Sequence, residues 1–222
     1  MKAASLFLNG KYQKADLNYY LKISEKSFKV AVDGGFQFFE KTKTKPDLLL
    51  GDFDSIKRIP SKLHPEIEII EHPVDKNKTD LELALDEIQK RGYSDIRIIQ
   101  PETGELDHFL GNLFLIFGTK LLKKLEGELT IQFLNVAYEI SFISDQRLGY
   151  EDCSGDLVSV FPLSNSIILN ERGFQYPAVD LHIKKGSSYG LRNYISKPRA
   201  SLEVAGKALI FQKYKKPGGR QK

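Results

Sequence analysis

The chain has one cysteine and one methionine in 222 residues. A lone Cys153 closes no internal disulfide and sits in no metal-ligand spacing, so the fold rests on its own packed core, as expected in a reducing compartment. No stretch approaches the roughly 18 consecutive apolar residues of a membrane-spanning helix. The apolar run within residues 1–10 is too short for a signal peptide. These absences lead us to expect a soluble, cytoplasmic protein with no membrane partner. Neither charge sign dominates: 33 Lys and Arg face 29 Asp and Glu, a net charge of +4. Much of that excess lies in residues 213–222, which read as a solvated end, so nucleic acid is not an expected partner. There is no Gly-Lys-Ser/Thr P-loop and no Gly-x-Gly-x-x-Gly fingerprint, which argues against the standard nucleotide folds that carry them.

What is present is a core. Apolar residues make up 41% of the chain, with 14 Phe and 10 Tyr, enough to bury an interior without staples. The pattern changes along the chain. Up to about residue 126, short apolar runs at 4–9, 29–32, 47–50, 66–70 and 95–99 alternate with helical spacing. The clearest helix covers 79–92. Leu81, Ala84, Leu85 and Ile88 recur at i, i+3, i+4 and i+7, and Thr79 with Glu82 forms a capping box. A second helix is predicted over 106–124, with Leu106, Phe109, Leu110, Leu113 and Phe117 as its buried stripe. Strands alternating with helices predict an α/β domain with a mostly parallel sheet. After Gly127 the period becomes two, in the sets Leu129/Ile131/Phe133, Ile140/Phe142, Val179/Leu181/Ile183, Leu202/Val204 and Leu209/Phe211. Frequent turn residues separate them, which predicts an all-β antiparallel sandwich or barrel. We expect domains at 1–126 and 127–222.

Acidic residues recur where the predicted strands end. In residues 46–55 an apolar run ends at Gly51 and is followed by Asp52-Phe53-Asp54. In extended chain these two carboxylates point to one side and repel. A divalent cation relieves that repulsion, and Mg²⁺ favours carboxylate oxygens together with substrate phosphates. Asp33 ends another run and precedes Gly34 and Gly35, which allow backbone to approach a phosphate at a helix start. Asp75, Thr79 and Asp80 bracket a third junction, and Asp107 and His108 a fourth, with Asn112 one turn on. In parallel sheets ligands bind beyond the C-terminal strand ends. The pattern therefore points to metal-assisted chemistry on a phosphorylated compound.

Taken in order, these segments resemble the thiamine pyrophosphokinase family. Val32-Asp33-Gly34-Gly35 is similar to the family's Ala-Asp-Gly-Gly. Residues 46–55 match Pro-Asp-x-x-x-Gly-Asp-Phe-Asp-Ser in full. Asp75, Thr79 and Asp80 match Asp-x-Asp-x-Thr-Asp. Gly104, Asp107, His108 and Asn112 match Gly-Gly-Arg-x-Asp-His-x-x-x-Asn. Ser188, Gly190 and Asn193 match Ser-x-Gly-Thr-Ser-Asn. Asn77, Thr103, Glu105 and Leu191-Arg192 depart from those patterns. The resemblance implies an α/β catalytic domain followed by a β-sandwich, a homodimer, and pyrophosphoryl transfer from ATP to thiamine. It implies Asp52, Asp54 and Asp80 as catalytic Mg²⁺ ligands, and Asp33, Gly34, Gly35, Asp75 and Thr79 at the nucleotide. Asp107, Asn112, Ser188 and Asn193 would meet the acceptor. Transfer to another small alcohol, or binding without turnover, stays open at this point.

Overall fold

The computed structural model describes residues 1–53, 65–73, 77–102, 105–118 and 129–216. Two compact units emerge, Met1–Gly118 with Phe133–Asn135, and Thr119–Gln132 with Val136–Lys222. Among the described residues there are twelve strands and four α-helices, with parallel and antiparallel pairing both present.

The first unit runs β1 (Ala3–Phe7), α1 (Leu17–Ser24), β2 (Phe28–Val32), α2 (Phe36–Thr42), β3 (Leu48–Gly51), β4 (Glu68–Glu71), α3 (Asp80–Lys90), β5 (Asp95–Ile99) and α4 (Leu106–Gly118). Its strands are parallel in the order β5-β1-β2-β3-β4, in registers such as Leu6↔Ile98, Leu6↔Val30 and Val30↔Leu48. Leu48, Leu49 and Leu50 are all buried. A continuous apolar run, rather than an alternating one, marks a strand covered on both faces. One cover is aromatic. Phe7 stacks on Phe38 at 4.5 Å and meets Phe39 edge-on at 4.8 Å. Tyr12 donates from its hydroxyl to the Leu8 carbonyl at 2.7 Å, so its polar end is satisfied inside this cluster.

Helix α3 matches its sequence reading. Leu81, Ala84, Leu85 and Ile88 are its buried residues, and Thr79 Oγ1 accepts from the Glu82 backbone N–H. Glu82 itself pairs with Lys78 at 3.3 Å. Arg91 donates through both terminal nitrogens to Glu68 at 2.8 and 2.6 Å, tying the end of α3 to β4.

Two helices depart from expectation. In α4, Leu106 is 67% exposed, and Leu110 and Phe114 are exposed as well, while Ile116 is buried. The helix is apolar on more than one face, so period alone does not say which face turns inward. Residues 119–124 of that predicted helix lie outside the described residues. Helix α1 falls in the stretch between 9 and 29, which the sequence reads as helical only without bounds, because eight residues with Asn, two Tyr and a terminal Ser carry little helical signal.

The second unit comprises the start of β6 (Thr130–Leu134), then β7 (Tyr138–Glu151), β8 (Leu157–Pro162), β9 (Ser166–Arg172), β10 (Ala178–Lys184), β11 (Asn193–Tyr194) and β12 (Arg199–Lys213). Among the described residues the pairings within β7 to β12 are antiparallel. Strand β12 pairs β7 along nearly its whole length, β9 along its first part and β8 along its second. Strands β8, β9 and β11 fall outside the period-two sets read from sequence. In β10 the register shifts between Ala178 and Leu181, where Asp180 has φ +47° and donates its backbone N–H to Asn170 Oδ1 at 2.8 Å. That bulge turns Val179 outward, so it does not share a face with Leu181 and Ile183 as simple alternation predicts.

Candidate active site

Topology positions the site. From β1 the chain adds β2, β3 and β4 successively on one side, then crosses to place β5 on the other side of β1. The connections leaving β1 and β5 therefore diverge, and a crevice opens beyond their C-terminal ends. A cavity of about 920 Å³ lies there, walled by Asn9, Gly10 and Lys11 after β1, Asp33 after β2, and Gln100 and Glu102 after β5. Thr79 and Asp80 reach it from the start of α3, and Asp107, His108 and Asn112 from α4.

The backbone around Asp33 is tightly built. Asp33 has φ +44° and Phe53, just past Asp52, has φ +62°. Non-glycine residues in the left-handed region are costly and gather at functional sites. Gly35 has no substitute: a Cβ there would stand 1.8 Å from the Phe7 carbonyl oxygen. A Cβ on Gly34 would meet Asn9 Cγ at 2.6 Å, and one on Gly51 would press Asp33 Cα at 3.0 Å. These glycines let β1, β2 and β3 end close together, which brings Asp33 and Asp52 to the same edge.

Of the expected residues, Asp33, Thr79, Asp80, Asp107 and Asn112 meet around this cavity. Gly34 and Gly35 lie buried behind Asp33. Asp52 follows β3, half-buried, and is not among the lining side chains. Asp54 and Asp75 lie outside the described residues. Thr79 is occupied with capping α3.

The cavity is acidic. Asp33, Asp80, Glu102, Glu105 and Asp107 line it, against Lys11 and His108. Such a surface repels a polyphosphate unless cations intervene. Among the described residues no three His, Cys, Asp or Glu side chains converge on one metal position. The donor set is nevertheless all hard oxygen, the chemistry Mg²⁺ takes when substrate phosphates complete its shell. The residues present fit that ion.

Ser188 and Asn193 belong to the second unit. The Ser188 carbonyl accepts from Leu191 N–H at 3.2 Å in an exposed turn. Asn193 is buried and fully engaged. Its Nδ2 donates to Glu171 Oε2 at 2.7 Å and to the Tyr176 carbonyl at 2.8 Å, while its Oδ1 accepts from the N–H groups of Tyr176 and Tyr194. It lines a second cavity of about 480 Å³, together with Glu171, Tyr176 and Tyr189. Burial pushes the Glu171 carboxyl up to about 7, against the opposing pull of the Asn193 hydrogen bond.

Sequence reasoning missed Gln100 and Glu171. Gln100 is the residue after the β5 run, so the strand-end rule that finds Asp33 also reaches it. Glu171 follows Ile167 and Leu169 at period two, which puts a carboxylate on the inward face of β9; both of those aliphatic side chains are buried.

Residues 19–126 match the family model described as thiamin pyrophosphokinase, catalytic domain. A thiamine pyrophosphokinase of Bacillus subtilis is 29% identical over 188 residues, covering 82% of this chain and 85% of its own. The crystal structure of a thiamine pyrophosphokinase from Bacillus subtilis superposes with TM-score 0.78 at 26% identity, over 96% of this chain and 99% of that one. A thiamin pyrophosphokinase from Candida albicans shares the fold with TM-score 0.75 at 15% identity, over 96% and 89% of the two chains.

Proposed function

We propose, from its similarity to the thiamine pyrophosphokinase family, that this chain transfers the pyrophosphoryl group of ATP to the primary alcohol of thiamine. The observation that carries the reading is the acid-lined cavity at the divergence of β1 and β5, where the family's motif residues Asp33, Asp80, Asp107 and Asn112 meet. No observation favours a different acceptor alcohol or a non-catalytic regulator.

The acceptor oxygen attacks the β phosphorus. A new O–P bond forms, the bond to the α-phosphate bridging oxygen breaks, and AMP leaves. Reactions of this class rely on in-line positioning and charge neutralisation. Asp52 and Asp80, together with Asp54 and Asp75 outside the described residues, would hold Mg²⁺, which would supply charge neutralisation on the triphosphate. The chain's own residues do the rest. We assign the donor phosphates to the cavity edge at Asp33, where the tightly packed Gly34 and Gly35 behind it fix the backbone. Asp107 and Asn112 orient the acceptor hydroxyl, and a cavity carboxylate accepts its proton. We assign the first unit to donor binding and catalysis, and read the second as a β-sandwich that contributes to the acceptor site.

A homodimer fits α4. Leu106, Leu110 and Phe114 recur every four residues and stay exposed in the single chain. A contiguous apolar stripe of this kind marks a contact surface. Light scattering on the pure protein should give twice the chain mass, and Leu110→Asp should lower it toward one. Among the described residues no helix is long and apolar enough to cross a membrane, and we assign the protein to the cytoplasm.

The direct test combines pure protein, Mg²⁺, ATP and thiamine. AMP and the diphosphate ester should appear together, and neither without thiamine. AMP release that ignores thiamine would refute the assignment.

A further inference from the structure

The second cavity holds a group that the transfer mechanism does not use. Glu171 is 5% exposed, yet one carboxylate oxygen is engaged by Asn193 and the side chain lines a cavity of about 480 Å³. A buried carboxylate costs free energy unless paired. What surrounds it offers no cation. On β12 its cross-strand partner is Leu202, and on β10 it is Ala178. From β11 it meets Asn193. Tyr176 and Tyr189 are the other titratable groups of the lining; no Lys, Arg, His or second acid lines this cavity among the described residues. The rim is apolar and aromatic, and Tyr176, Val179, Tyr189 and Leu191 all stay exposed there. An isolated anion under an aromatic rim is the arrangement that selects a flat organic cation, through charge below and π-faces beside it.

We propose that Glu171 is the charge-selecting residue for the acceptor, its carboxylate receiving the positive charge of a cationic heteroaromatic alcohol within the second cavity. This rests on the proposed reaction, in which the acceptor's thiazolium ring carries that charge. Asn193 then serves as a positioning residue: its amide holds Glu171 on one side and the Tyr176 backbone on the other. Because burial raises the Glu171 carboxyl toward neutrality, the acceptor binds the ionised form and releases a proton on binding. The KM for thiamine therefore rises as pH falls below about 7, while the KM for ATP does not follow it.

The experiment is steady-state AMP release by the full chain, comparing wild type with Glu171→Gln between about pH 5.5 and about pH 8.5, a span chosen so that the linked proton is titrated. Glu171→Gln keeps an oxygen for Asn193 and removes only the charge. It should raise KM for thiamine about thirtyfold at the alkaline end, flatten its pH dependence, and leave kcat and the KM for ATP within about twofold. A neutral analogue with thiophene in place of thiazolium should bind the variant at least as well as wild type. Unfolding supplies an independent readout. A carboxyl raised by folding loses stability as pH rises through its folded value, so the variant should melt higher than wild type above about pH 7. If wild type makes AMP from thiamine but the variant keeps its KM and pH profile, Glu171 does not select charge. A variant that shifts only the oligomer mass overturns the proposal too, because the rim then closes on a second copy. If thiamine never drives AMP release, the proposed reaction fails and the role of Glu171 falls with it.

Discussion

The two units build their cavities from opposite materials. In the first, a parallel sheet gathers strand ends at one edge, and five carboxylates line an open crevice. In the second, an antiparallel sheet presents one buried carboxylate under a rim of tyrosines and aliphatic side chains. Many solvated acids attract cations and their phosphates, with water sharing the work. A single desolvated acid discriminates by charge, because little water is present to screen it. On the proposed function, donor handling and acceptor choice are assigned to different cavities: strand ends supply number, and a strand face supplies isolation.

The sharpest break in that contrast is Asp80→Asn against Glu171→Gln. Removing one carboxylate from the crevice should cut kcat by about a thousandfold, with little loss of folding stability, since charge stabilisation in the transition state is worth several kcal/mol. Glu171→Gln should act on KM instead. Matched kinetics on the two variants decide it. A kcat effect from both would merge the two roles.

Next comes backbone. Gly35→Ala should destabilise the protein by about 4 kcal/mol, because its new Cβ has no room beside Phe7 and the neighbour is backbone. Gly186→Ala in the second unit must adopt a positive φ (+83°) but meets nothing within 4 Å. It should cost only about 1 kcal/mol. Chemical denaturation of both variants measures the difference; Gly35 has φ −58° and carries no φ strain, so equal losses would show that the backbone beside Phe7 gives way to the new Cβ.

The smallest effect is electrostatic. The hydrogen bonds from Arg91 hold the Glu68 carboxyl below its ordinary value. A lowered acid contributes stability above its unfolded pKa and loses it as pH falls through the folded one. Glu68 is half exposed, so solvent screens the pair, and Glu68→Gln should cost no more than about 0.5 kcal/mol at neutral pH. The cost should vanish in acid. A persistent deficit there would mean that the side chain is needed for packing.

Much of the first unit is legible in the sequence because its signals are local. Leu48-Leu49-Leu50 announces a strand buried on both faces, and Thr79 with Glu82 announces the start of α3. Acids after apolar runs then point to the sheet edge where the crevice opens. The misses have physical causes. Leu106, Leu110 and Phe114 look like core in sequence, and only packing reveals that they stay outside. Val179 follows its alternation until Asp180 enters the left-handed region and the register slips. Asn193 lines the second cavity, and packing adds what its residue type does not announce: side-chain hydrogen bonds to Glu171, Tyr176 and Tyr194. Glu171 is readable as a charge on an inward strand position, but it sits on a strand face, where a rule built on strand ends does not reach.

The proposed reaction depends on where the donor lies. A crystal of the protein grown with Mg²⁺ and an ATP analogue carrying a methylene bridge between the α and β phosphorus atoms tests that directly. The nucleotide phosphates should lie against the Asp33–Gly35 turn, with the cation between them and the carboxylates of Asp52 and Asp80. Phosphates found in the Glu171 cavity, or a cation bound away from those aspartates, would contradict it.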